Sequence, residues 1–562
     1  MTLKTSSRKI NPAINMFGFT IRKNIGLIIL ITIATLLICP GFVLSNYKNF
    51  GNEYKEILSI DYPAIITVIG CISVVVFNLI NFLFLYSKRS SDVFLSVPLT
   101  RTELLVSRCL AGFVFSLIPV VLSYLSLGTI VHFVSSDCSV THIAICFAYT
   151  VISMLVCSSF SMIFVVCAGS AFDLILSFAG INIGLVIVSV ILSSIFDTCL
   201  YGYGSNNAVL SIMKTVSPFV FIGSGFCNYL EAFETFNLSN LFFFIKSGIL
   251  VIVFSALGVI LFNKRKAERG GDAYAYRFIY VICSLIISFC GAFFLGSLFG
   301  EGEDINVKFW IFALIGAVLV AVAYSAVTHR TFKNFKSAVM IGVCATLIMA
   351  VTVIISQNGG LGYADRIPKK QDIKNVRVDF FDEHIKYNDP TNALSLHKEI
   401  IKDKDKPSED DTDISWIYFT YELENGKIFE REYSVNNKKY SKELMALYNS
   451  DEHWDAIKKE FKNNRPKIVS FEMCCDDLWV NSYLTADEFE NFLNLYIKDA
   501  KNATADEIVN NENSYTVTYN WSVDEKYFGN GLILGGSFKN TKAYLDTLPL
   551  NERSEVEPDL VD

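Results

Sequence analysis

Residues 86–108 read Tyr-Ser-Lys-Arg-Ser-Ser-Asp-Val-Phe-Leu-Ser-Val-Pro-Leu-Thr-Arg-Thr-Glu-Leu-Leu-Val-Ser-Arg, a polar island between two long apolar runs. Its cations are Lys88, Arg89, Arg101 and Arg108, and its carboxylates are Asp92 and Glu103. Such a segment must stay in water between two lipid-spanning runs, and it is long enough for a short helix lying along the membrane face. Pro98 followed by Thr100 predicts the start of a helix over 101–108. Leu104 and Leu105 give that helix an apolar side to bury against a partner. The plainer reading is a loop whose charges only set membrane topology.

A second cluster holds Lys264, Arg265, Lys266, Arg269 and Arg277, with Glu268 as its acid. Topology and contact with anionic lipid account for such cations at the end of an apolar run. Glu268 is placed to pair with Arg265 or to face a partner. Lys246 interrupts Leu241-Phe-Phe-Phe-Ile-Lys-Ser-Gly. A charge at membrane depth marks a substrate path in some proteins, but a lysine near a helix end also snorkels to water. Asp173 suits a helix cap better than a proton carrier.

Other chemistries lack their residues. No GxxxxGK[ST] phosphate loop occurs, and Gly531-Leu-Ile-Leu-Gly-Gly536 has neither the lysine nor the hydroxyl. The six histidines follow no metal-ligand spacing, and there is no HExxH. Of 14 cysteines, 12 lie before residue 363, where apolar burial is expected. Cys138, Cys199 and Cys227 fall near one membrane face, so a disulfide among them is open.

The elements that must carry these residues are set by length and hydropathy. Apolar residues make up 52% of the 562, and the mean hydropathy is +0.40. Runs of about 20 residues with almost no charge match a hydrocarbon core of about 30 Å. Spans are expected at 25–44, 63–86, 109–133, 141–168, 173–196, 241–262, 277–299, 309–328 and 338–356. Residues 11–23 read as an interfacial helix closed by Arg22 and Lys23. The stretch 206–233, broken by Pro218, Gly223 and Gly225, fits a re-entrant or interfacial hairpin better than a span.

Charge divides the chain. Residues 1–362 carry a net +7 and residues 363–562 a net −14. With the N-terminus inside, 17 membrane-part cations fall on inner segments and five on outer ones, as the positive-inside rule requires. Nine spans then leave the acidic tail outside. That tail reads as a soluble α+β domain. Val376, Val378 and Phe380 alternate with charges as on a strand. Asn425-Gly426 between two strand-like runs predicts a hairpin. Thr485-Ala-Asp-Glu488 is a capping box, and Phe489, Phe492, Leu493, Tyr496 and Ile497 share one face of the helix behind it. Two similar lobes would fit the length, although no repeat is legible in the residues.

Lys88-Arg-Ser-Ser-Asp92, Ser96-Val-Pro-Leu-Thr-Arg101, Leu104 and Ser107-Arg108 together resemble the coupling segment of ABC-2-type permeases, the membrane subunits of ATP-driven exporters. Pro98 and Arg101 match that pattern residue by residue. Phe262-Asn-Lys-Arg-Lys-Ala-Glu-Arg-Gly270 and His329-Arg-Thr-Phe-Lys-Asn-Phe-Lys336 are similar to loops of Gram-positive members with extra spans and a large C-terminal domain. Leu396-His-Lys-Glu-Ile400 and the Asn425-Gly426 hairpin are similar to that domain.

The expected architecture is therefore an all-α polytopic membrane domain of about nine helices, like a type V exporter, followed by a soluble α+β extracytoplasmic domain. Its parts are an interfacial helix over 1–24, a six-span permease core over 25–262, three further spans over 263–356 and the tail over 357–562. The resemblance implies contact with a cytoplasmic ATPase through Lys88, Arg89, Asp92, Pro98, Arg101, Glu103 and Leu104. Arg265 and Glu268 would serve in a second loop, and Lys246 in a substrate path. It also implies a second or sibling permease and surrounding lipid as partners, with no nucleic acid. No cofactor is expected in this chain, since ATP and Mg would bind the partner. The alternative is a sensor or mechanotransmitting protein whose outer domain binds a peptide or envelope component. An enzyme is disfavoured for want of a nucleophile–base or metal arrangement.

Overall fold

Length and hydropathy place the helices, and small polar residues decide how closely they pack. A computed structural model describes residues 12–46, 60–134, 140–204, 213–214, 217–231, 238–300, 305–332, 334–380, 383–404, 414–475, 478–508, 515–523, 526–548 and 551–552. Its helices before residue 358 are α1 (Pro12–Asn46), α2 (Tyr62–Asn81), α3 (Lys88–Leu95), α4 (Arg101–Val134), α5 (Val140–Cys167), α6 (Ala171–Cys199), α7 (Pro218–Glu231), α8 (Leu238–Lys264), α9 (Arg277–Phe299), α10 (Val307–His329) and α11 (Phe335–Gln357). Among the described residues nine of them, all but α3 and α7, are long and apolar enough to cross a membrane. They match the nine expected runs.

Three boundaries differ from expectation. No break separates an interfacial helix from the first span, because α1 runs unbroken through Arg22 and Lys23. Its buried stripe of Met16, Thr20, Asn24 and Ile28 continues at four-residue spacing across the expected junction. The second span ends at Asn81 and passes into a 3₁₀ turn, Leu83–Tyr86. The third starts at Arg101, so 101–108 forms its first two turns rather than a surface helix. The short surface helix is α3 instead.

Helix α7 starts with Pro218 and has 14 residues; at 1.5 Å each these reach only about 21 Å, too short to span. Its Phe226 and Tyr229 pack on Tyr149 of α5 at 5.4 and 5.0 Å. The rest of the expected 206–233 hairpin falls largely outside the described residues. Neither Cys199 nor Cys227 is disulfide-bonded, and Cys138 lies outside the described residues.

Helix α5 is the most enclosed of the nine. Asn78 of α2 donates to Ser158 O, Ser158 Oγ and Ser161 Oγ at 3.0–3.1 Å. Asn24 of α1 donates to Asn81 Oδ1 at 2.8 Å, and Asn81 donates to Arg108 O at 3.2 Å. Gly112 allows this approach, since a Cβ there would lie 2.9 Å from Asn78 Oδ1 and 3.1 Å from Asn81 Nδ2. Gly112→Val is expected to separate α4 from α2 at a cost of about 2 kcal/mol. A lower melting temperature in detergent, measured beside Gly128→Val where nothing lies within 4 Å, checks this.

Contacts divide the chain into two compact units, Met1–Ser193 with Ala208–Val351, and Ser194–Asn207 with Thr352–Asp562. The tail unit thus begins within α11 rather than at 357, and it also takes in the end of α6. The Tyr201 ring packs at a tilt against Tyr433, with centroids 5.2 Å apart. Gly202 sits at φ +72° with the Tyr433 ring 2.5 Å from where a Cβ would be, so glycine is required twice over.

The tail contains β1 (Ile373–Phe380), β2 (Glu383–Tyr387), α12 (Thr391–Asp403), β3 (Ile414–Leu423), β4 (Ile428–Asn436), α13 (Ser441–Tyr448), α14 (Asp451–Asn463), β5 (Ile468–Cys475), β6 (Leu478–Thr485), α15 (Ala486–Ala500), α16 (Ala505–Ile508), β7 (Tyr515–Val523), β8 (Lys526–Leu534), α17 (Lys539–Leu545) and β9 (Asn551–Glu552). The hairpin turns at Gly426, φ +74°, and the Thr485–Glu488 capping box forms as read. One sheet has the order β2-β1-β3-β4 and the other β8-β7-β5-β6-β9, with every pairing antiparallel. Four strands of the second repeat the order of the first, read in reverse, and each half runs hairpin, helix, hairpin, helix. The two-lobed repeat is present in topology. One core joins the lobes, where Tyr448 Oη meets Tyr496 Oη at 2.8 Å. Gly531 lies within β8, opposite Thr518, which is no phosphate-loop geometry.

Candidate coupling surface

Helix α3 presents Lys88, Arg89, Asp92 and Val93 to solvent and buries Ser91. Phe94, one position further, packs on Phe84 at 4.7 Å. The guanidinium of Arg108 lies over both rings, 4.4 Å from Phe84 and 4.3 Å from Phe94. Cation–π contact is strengthened where water is excluded, and Arg108 is 3% exposed. Its Nη1 also donates to Asn81 O. One arginine of α4 therefore fastens α3 to the end of α2.

A second fastening joins the two charged loops. Arg101 Nη1 donates to Asn263 O at 3.0 Å and to Arg265 O at 2.6 Å, closing the free carbonyls at the end of α8. Arg265 is buried. It donates through Nη1 to Val165 O and Val166 O, at 3.3 and 2.5 Å, and through Nη2 to Leu85 O at 3.0 Å. The guanidinium fork suits this task, since it presents several donors in a fixed plane. Burial pulls the Arg265 pKa down and pushes the Tyr86 phenol up, each partly opposed by the other's charge.

Residues 265–276 then lie against the turn between α5 and α6. Ala168 and Tyr274 form an antiparallel bridge, and Gly271 N donates to Gly169 O at 2.9 Å. A Cβ on Gly169 would sit 2.1 Å from Asp272 O. Three loops at one end of the spans are thus tied into a single plate, with the exposed face of α3 on it.

The expected site residues divide accordingly. Lys88, Arg89, Asp92 and Pro98 are exposed and share this surface. Arg101 and Arg265 bind backbone carbonyls within the chain and are not free to meet a partner. Glu103 accepts from Thr100 N and Oγ1 at 2.8 Å each, while its own N–H donates to Thr100 Oγ1 at 3.2 Å. It is the third residue of a capping box that starts α4. Leu104 is 2% exposed and packs inside the chain, not against a partner. Glu268 is exposed on the 3₁₀ turn Ala267–Arg269. It does not pair with Arg265, whose donors are taken by carbonyls.

Lys246 does not face the interior. It is exposed on α8 beside Phe242, Ile245 and Ile249, which are 49–55% exposed, so it belongs to the outer surface of the protomer. Asp173 does not cap α6: the cap is Ser170, whose Oγ accepts the Asp173 N–H at 3.1 Å and donates to the Asp173 carboxylate. Asn78, Asn81, Phe84 and Phe94 were not singled out by residue type. The available signal was two asparagines at the end of an apolar run. Among the described residues no group of His, Cys, Asp or Glu is placed to hold a metal. Comparison with known protein families, characterised proteins and solved structures found no match for this chain.

Proposed function

We propose that the chain is the membrane permease subunit of an ATP-driven exporter of the ATP-binding-cassette type, with the ATPase carried by a separate chain. The observation that carries this reading is α3, a charged and exposed helix fixed through Arg108 and the Phe84–Phe94 pair to the spanning helices α2 and α4. A motor pressing on such a helix would move the spans with it, because close-packed elements pass displacement on rather than absorbing it. Energy would enter through different contacts with the two states of the motor. The cation distribution supports an inner position for this face and an outer one for the tail. A second copy or a sibling permease would complete the pathway for a peptide, drug or lipid-like substrate.

The test begins with capture of an ATPase by the tagged full chain from native membranes. Arg89→Glu with Asp92→Lys is then expected to lower transport-coupled ATP hydrolysis at least tenfold. Abundance and melting should hold within the roughly 0.5 kcal/mol usual for surface changes. Pro98→Gly should act in the same direction. Arg101→Glu is a poor probe, because it sets a carboxylate against two carbonyls of α8. Unchanged coupling in both surface variants would refute the assignment. Capture of an ATPase without flux of any solute in vesicles would favour the sensor reading.

A further inference from the structure

A cavity of about 510 Å³ opens where α6 and α9 begin, α10 ends and α11 begins. Arg269, Arg277 and Arg330 line it, with Asp173 and Asp272 as the only carboxylates among its lining residues. Asp272 lies 3.8 Å from Arg269. Among the described residues Arg277 donates to Ser337 Oγ, at 3.5 Å, and no carboxylate forms an ion pair with Arg277 or Arg330. Two lining residues that are each 3% exposed keep an unpartnered polar atom, Tyr280 Oη as donor and Asp173 Oδ1 as acceptor. Buried polar groups without partners are uncommon and point to a missing ligand or ion. Arg330 holds φ +52° as the cap of α10, a strained conformation for a residue with a side chain.

A second hollow begins on the same last turn of α10. It is apolar, about 760 Å³, and is lined by Leu314, Val318, Val322, Val327, Phe332 and Phe335. Leu314 to Val327 spans about 20 Å of helix, somewhat more than the ~15 Å of one leaflet. A cationic pocket at the end of a membrane-length apolar groove is the shape of an amphiphile with an anionic head.

We propose that this end of α9, α10 and α11 holds one acidic glycerophospholipid. The phosphodiester would meet Arg277 and Arg330, and a headgroup hydroxyl would bridge the Tyr280 hydroxyl and the Asp173 carboxylate. The groove along α10 would take an acyl chain. Three arginines against two aspartates leave the pocket at +1 with His329 neutral, which matches the single charge of a phosphoglycerol head. The proposal does not rest on the exporter reading, since it concerns only a membrane protein and its solvent.

The full chain in detergent would be titrated with short-chain phosphatidylglycerol, phosphatidylcholine, phosphatidylethanolamine and inorganic phosphate, with melting and native mass spectrometry as readouts. Phosphatidylglycerol is expected to raise the melting temperature and to remain as a one-to-one adduct. Arg277→Gln with Arg330→Gln should weaken it ~30-fold, at about one lysine- or arginine-sized contribution each. Lys264→Gln with Lys266→Gln, on the exposed neighbouring loop, should leave binding unchanged. Leu319→Trp, on the half-exposed groove wall, should also displace the lipid if the arginine variants prove too unstable to purify. The proposal fails if either zwitterionic lipid binds as well as phosphatidylglycerol or if inorganic phosphate alone protects equally. It also fails if both sets of pocket and groove variants bind like wild type.

Discussion

Arg265→Ala is expected to reduce the folded protein recovered from membranes to a small fraction of wild type. The side chain closes three carbonyls, from Leu85, Val165 and Val166, at a buried junction. Val165 O keeps the Tyr86 hydroxyl at 3.2 Å, while Leu85 O and Val166 O lose their side-chain donor at about 1–3 kcal/mol each, so the loss should reach ~3 kcal/mol. The backbone of residue 265 also receives Arg101, and its displacement would release the start of α4. Arg265→Lys should recover little, because a point charge cannot reach carbonyls on two segments at once. Lys266→Ala, exposed on the same loop, should change nothing. Size-exclusion yield and melting temperature in detergent check the series, and equal behaviour of Arg265→Ala and Lys266→Ala would show that the plate is not fastened there.

Acid should destabilise the tail unit through His397. The ring is fully buried, with Nδ1 2.9 Å from Tyr421 Oη and Nε2 2.9 Å from Tyr433 Oη. It stacks on Phe419 at 4.9 Å. Burial, helped by repulsion from Arg431, pulls its pKa down to about 3. An unfolded histidine titrates near 6.5, so between these values the unfolded chain holds a proton that the folded chain lacks. The contribution is intact above pH 6.5 and is lost as the pH falls. It amounts to ~1.4 kcal/mol per unit, or about 4 kcal/mol by pH 3.5. His397→Gln should be less stable at pH 7 yet show a shallower fall in melting temperature between pH 6.5 and 4. Parallel curves for the two proteins would remove His397 as the cause.

Arg265 illustrates why residue type alone does not resolve the charged loops. A cation at the end of a span has the same local signature whether it faces water, lipid or a neighbouring carbonyl. Lys88 and Arg89 face out, whereas Arg101, Arg108 and Arg265 face in, and the same sequence rule had placed all of them on one membrane side. Glu103 is different: it stands three residues after Thr100, where Pro98 and Thr100 already predict a helix start, so its capping role is legible in the sequence.

What the sequence determined was much of what depends on near neighbours. Nine apolar lengths specified nine helices, because each span satisfies its own backbone. Alternation, Asn425-Gly426 and Thr485–Glu488 specified a strand, a turn and a helix start, each within a few residues. Only the tertiary structure decided which side chains meet across long separations: Arg265 with Leu85, Arg108 between Phe84 and Phe94, and Arg277 beside Arg330 around one cavity. It also decided the repeated strand order of the tail. Strand order is fixed by backbone pairing and by the need to cover one core, and many different side chains satisfy both.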